Sequence, residues 1–100
     1  MYTIHDCTDE DVRTTDIEGR YIILKAEFLA EKYRNEEHQL VKVVGGFGCD
    51  PTTNKNSIDV EEQTANDPEK YRINRCDDGI LGIAKDSVVI THKEKYNSKN

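Results

Sequence analysis

The sequence predicts an α+β fold: a small, mostly antiparallel sheet of four to six strands with one short helix packed on it. Three observations carry this. Four short segments, at residues 20–25, 39–44, 57–63 and 70–75, are rich in β-branched and aromatic residues or alternate in polarity. One segment, residues 26–34, has helical chemistry instead. The chain has 100 residues, the size of one domain that buries roughly two thirds of its unfolded surface.

Taken in order, Tyr2-Thr3-Ile4-His5 alternates weakly and reads as a short edge strand. Residues 6–19 are polar and read as a loop, with a turn of helix after Asp9. Residues 1–19 together form a polar N-terminal arm of the single domain 1–100. RYIILK (20–25) is the clearest strand, with Tyr21, Ile22 and Ile23 in succession. AEFLAEKYR (26–34) places Tyr33 four residues after Leu29, on one helical face, with Glu27, Glu31, Lys32 and Arg34 left for solvent. So short a helix depends on packing.

QLVKVV (39–44) is apolar on both sides of Lys42 and reads as a central strand. SIDVEEQ (57–63) turns Ile58 and Val60 inward and Ser57, Asp59 and Glu61 outward. Asp67-Pro68 punctuates a turn, and residues 70–75 alternate again, pairing with 57–63. Asp77-Asp78-Gly79 is a second turn, Ile80–Ile83 an apolar plug, and residues 86–92 (DSVVITH) a final strand. Residues 93–100 read as a frayed polar tail.

Apolar residues make up 35% of the chain and charged residues 34%, so the core is lean and the surface highly charged. The net charge of −6 argues against a protein that binds nucleic acid by neutralising phosphates. It suits one that docks onto a basic surface. The acid is concentrated: residues 1–20 hold six acids against two bases, and residues 49–70 again six against two. The start of the chain has neither the basic nor the apolar region of a signal peptide, and no apolar run reaches membrane-spanning length. The expected location is the cytoplasm, with Cys7, Cys49 and Cys76 as free thiols.

Four kinds of site compete. Gly45-Gly46-Phe47-Gly48 is followed by Cys49-Asp50-Pro51, with no Lys-Ser or Lys-Thr pair and no helix, so it is not a phosphate loop. Its glycines suit a bulge or tight turn with positive φ, closed by Pro51 and anchored by Phe47. The three cysteines and His5, His38 and His92 lack the close pairing of a structural zinc site, so neither metal nor cofactor is expected. Cys49 as a nucleophile is opposed by Asp50 beside it, which disfavours the thiolate, and no enzyme is expected. The fourth is the acidic surface. Asp59 and Glu61 share a strand face, about 6.8 Å apart at ~3.4 Å of rise per residue. Glu62, Asp67 and Glu69 extend the negative field. These carboxylates are the candidate contacts for a basic protein, with Phe47 as an apolar anchor.

Three pieces of the chain carry a resemblance. They are Tyr21-Ile22-Ile23-Leu24-Lys25 with Glu27-Phe28-Leu29, Tyr33-Arg34 and Gln39-Leu40; the turn Gly45 to Thr52; and Arg75-x-Asp77 leading to Leu81-Gly82-Ile83. Over residues 20–84 the chain resembles small accessory proteins with a GGFGC turn, carried by conjugative elements and phages of Gram-positive bacteria. It departs from that pattern at Lys55-Asn56, where a glycine-arginine pair is expected, and at Asp59, where an aromatic is expected. Such proteins sit among anti-restriction and other anti-defence genes, and small acidic proteins of those regions include anti-CRISPR inhibitors of Cas9. The resemblance therefore implies an inhibitor that binds a type II effector or its guide RNA complex in the bacterial host cell. The alternative is a non-inhibitory accessory protein that binds an element-encoded helicase or relaxase.

Overall fold

The structure is a computed structural model and describes residues 1–46 and 56–96. Five strands form one antiparallel sheet: β1 (Tyr21–Leu24), β2 (Leu40–Gly45), β3 (Ser57–Glu62), β4 (Lys70–Asn74) and β5 (Ile80–Ile83). Their order is β4-β3-β2-β1-β5. Thus β1 to β4 run as a meander, and β5 returns to the far side of β1. One main helix, α2 (Asp86–Tyr96), packs on the sheet, and a single helical turn, α1 (Glu36–Gln39), precedes β2. The α+β class is the one the sequence predicts.

Strand alternation sorts the core into two layers. Ile22, Leu24, Val41, Val43, Ile58, Val60 and Ile73 fill one face, covered by Ile17 from the N-terminal segment and by Leu29. Ile23 and Leu40 point the other way and meet Cys7, Ala84 and Val89. Each fully buried Ile, Leu or Val side chain is worth about 1.5–3 kcal/mol relative to exposure. The N-terminal arm is polar in sequence but structurally bound in. Ile17 and Cys7 are buried, and the buried Arg75 guanidinium donates to the carbonyls of Val12 and Thr15. Cys7 also bridges to Ala84, and Thr8 N–H donates to the Ile83 carbonyl, which covers the outer edge of β5.

Four segments differ from the sequence expectation. Residues 26–34 form two 3-10 turns, Ala26–Phe28 and Glu31–Tyr33, rather than a continuous helix. The link between them is extended at Leu29 and Ala30. It sends Leu29 into the core, while Phe28 lies against Gly79; a Cβ at Gly79 would sit 2.1 Å from the Phe28 ring. A nine-residue helix has little stability of its own to resist such packing. Residues 86–92 lie within the helix α2 rather than in a strand, despite Val88, Val89, Ile90 and Thr91. Here Asp86 begins the helix and Lys93 and Lys95 end it, matching its dipole. Val88, His92 and Tyr96 recur at helical spacing along the chain. Ile80–Ile83 is a strand rather than a plug. The segment expected as an edge strand at Tyr2–His5 gives a 3-10 turn, Ile4–Asp6. There Asp6 accepts the Thr3 N–H, and the Thr3 hydroxyl accepts the His5 N–H. No helix among the described residues is long and apolar enough to cross a membrane.

Candidate functional site

The carboxylates of β3 divide between the two faces of the sheet. Asp59 and Glu61 point away from the main core, and each has a base directly across the strand pair. The Arg72 guanidinium donates to Asp59 at 2.7 Å and holds its carboxyl below the ordinary range. Lys70 lies 3.4 Å from Glu61. On the other side Lys42 of β2 is in register with Glu61. This face is therefore a grid in which Lys42, Lys70 and Arg72 alternate with Asp59 and Glu61. The sequence expectation of a negative strand face did not include the bases that the register brings beside it.

Glu62 lies on the opposite face, one step further along the alternation of Ile58 and Val60. It is buried, and Oε2 lies 2.7 Å from His38 Nδ1. A carboxylate only accepts, so this bond requires the proton on Nδ1. Oε1 accepts the Glu69 N–H. Asn35 positions His38: its side chain caps α1 by accepting the His38 N–H, and the Tyr33 ring meets the imidazole edge-on at 4.8 Å between centroids.

These groups wall a cavity of about 520 Å³. Leu29, Tyr33 and Tyr71 give it apolar and aromatic sides, and Glu62, Asp67 and Glu69 give it carboxylates; among the described residues no Lys or Arg lines it. The Tyr71 hydroxyl is buried with no hydrogen-bond partner among the described residues. Burial, followed by the Glu62 and Glu69 carboxylates, pushes its pKa up to about 12. Asp67 takes φ +44, in the left-handed region, immediately before Pro68. Asp is among the few side chains that tolerate this backbone. The turn is tied by the Thr64 hydroxyl, which donates to the Asn66 carbonyl. An aromatic, acidic cavity of this kind suits a cationic group on an apolar stem, through carboxylate pairing and contact with ring faces.

Of the predicted contact residues, Glu62, Asp67 and Glu69 line this cavity, while Asp59 and Glu61 lie on the opposite sheet face. Phe47, Gly48, Cys49 and Pro51 lie outside the described residues. At the start of the glycine turn, the β2–β3 register shifts between Val43 and Gly45. Gly46 takes φ +63, where an added Cβ would meet the Ser57 carbonyl at 3.0 Å. Sequence reasoning missed His38, 24 residues from Glu62, and Tyr71. Burial pushes the Cys7 thiol up to about 11, away from thiolate chemistry. Among the described residues, no three His, Cys, Asp or Glu side chains are placed to hold a metal ion. No protein family, curated protein or solved structure matches the chain.

Proposed function

We propose that the chain is a non-enzymatic binding protein that seats a lysine or arginine of a basic protein partner in the cavity between His38 and Tyr71. One observation carries the reading: Glu62, Asp67 and Glu69 line an open, tyrosine-walled cavity that, among the described residues, has no lysine or arginine in its lining, while the His38 imidazole in its wall is taken up by Glu62. A cationic side chain entering it gains two carboxylates at the rim and aromatic surface for its stem.

The resemblance to mobile-element proteins makes a type II CRISPR effector the first partner to consider. In that role the chain is an anti-CRISPR inhibitor, acting in the cytoplasm of the bacterial host. It occludes Lys or Arg side chains that read the PAM duplex or hold the heteroduplex backbone, and so blocks DNA binding or cleavage. Asp59 and Glu61, each beside a base, contribute less to such a contact than Asp67 and Glu69. A relaxase or helicase of the same element is the second partner, contacted through the same cavity without inhibition of Cas9.

The test is binding of the purified protein to guide-loaded Cas9, with and without target DNA, at low and at physiological salt. Affinity should fall as salt rises, and Glu69→Lys should weaken it at least tenfold. Absence of binding to both forms at low salt would sink the inhibitor reading. Co-purification with a relaxase or helicase would then support the second.

A further inference from the structure

The two outer edges of the sheet are treated differently. The edge of β5 is covered by the N-terminal arm through Cys7 and Thr8. Among the described residues, no strand or arm pairs with the edge of β4. Glu62 N–H donates to the Glu69 carbonyl, and Arg75 N–H donates to the Asn56 carbonyl. These bonds fix which backbone groups of β4 face β3: Tyr71 and Ile73 face inward, as antiparallel alternation requires. Those of Lys70 and Arg72 therefore face outward, and no described residue bonds to them.

An open edge is a template for another strand, and long basic side chains along it deter indiscriminate pairing. Here they also specify charge. Across the sheet, Lys42, Glu61 and Lys70 stand in register, as do Asp59 and Arg72 in the adjacent row. Both rows end on a base at the open edge. The next strand continues the alternation only if it brings acids opposite Lys70 and Arg72. A second copy pairing antiparallel through its own β4 would set Lys70 and Arg72 against the same bases, which is repulsive.

We propose that the β4 edge binds an extended segment of a protein partner carrying acidic side chains at alternate positions. Its backbone pairs with Lys70 and Arg72, and its acids continue the two charge rows. This goes beyond the cavity reading and does not depend on it.

The probe is a fluorescent, end-capped eight-residue peptide alternating Glu and Thr, compared by anisotropy with its Lys–Thr counterpart. The acidic peptide should bind at least tenfold tighter than the basic one. Arg72→Pro removes an outward N–H at a position where an edge strand accepts proline, and should abolish binding. Arg72→Ala, which keeps the amide, should weaken it only severalfold. Backbone pairing is also read in the unaltered protein by hydrogen exchange: the Lys70 and Arg72 amides should slow on adding the acidic peptide. Equal binding of the two peptides, no binding of either, or unchanged exchange at Lys70 and Arg72 would overturn the proposal. So would concentration-dependent dimerisation that protects the same amides without peptide.

Discussion

Asp59 and Glu62 are three residues apart on one strand and carry the same charge, yet their surroundings differ. Asp59 faces solvent with Arg72 beside it, in water that screens the pair. Glu62 sits inside, with His38 on one oxygen and the Glu69 amide on the other. The difference teaches that a carboxylate's role here is set by the face of β3 it occupies. On the outer face, acids are held beside bases in a shallow grid; on the inner face, one acid organises a cavity.

Breaking that contrast at its stronger end should give the largest effect. Glu62→Ala strands His38 Nδ1 and the Glu69 N–H, and should cost about 3 kcal/mol in urea unfolding. A much smaller loss would mean that water replaces the carboxylate and that Glu62 is not structurally buried. Glu62→Gln keeps an acceptor and should lose less.

A second buried polar group should give a smaller, pH-dependent effect. His92 accepts from the Tyr2 hydroxyl at Nδ1 and donates from Nε2 to the Gln63 carbonyl. Burial lowers its pKa below the ordinary 6.5, against the raising influence of the Gln63 bond and of Glu37 and Glu36. The unfolded chain then binds more protons than the folded one between the two values. Stability from this group is intact above about pH 6.5 and is lost as pH falls through its lowered folded value. His92→Phe should flatten that part of the stability profile; an unchanged slope would assign it to other groups.

Removing a polar group that already lacks a partner tests the cavity wall. Tyr71→Phe deletes the buried hydroxyl, unpaired among the described residues, and should leave stability unchanged or raise it by up to about 1 kcal/mol. A clear loss would reveal a partner for that hydroxyl. The smallest effect belongs to the outer face. Asp59→Asn with Glu61→Gln should produce no resolvable shift in the urea midpoint at physiological salt. A marked loss would mean that the grid acts as a cooperative network.

Much of the sheet was legible because local pattern and tertiary demand agree in its strands. Tyr21–Leu24 and Leu40–Gly45 are strands by composition, and Ile58 and Val60 alternate as their burial does. Where the two conflicted, tertiary packing prevailed. Val88, Val89 and Ile90 favour a strand, but the β5 edge already holds the N-terminal arm, and the segment packs as a helix. Its helical period, Val88, His92 and Tyr96, places a histidine among the buried positions, which β-branched composition alone does not show. The cavity was half legible. Continuing the Ile58–Val60 alternation by one step puts Glu62 inside, whereas no spacing announces that His38 meets it. The mixed-charge grid was hidden for another reason: charge counted along the chain omits the bases that strand register brings alongside.

Gly79 has a consequence of another kind. A Cβ there would collide with the Phe28 ring, so the two turns interlock. In evolutionary terms, positions 28 and 79 are not free to drift separately. Phe28 is 38% exposed and can shrink at modest cost, whereas Gly79 can grow only if the Phe28 ring shrinks or moves aside. A change at 28 therefore opens room at 79, while a change at 79 first has to displace the ring at 28.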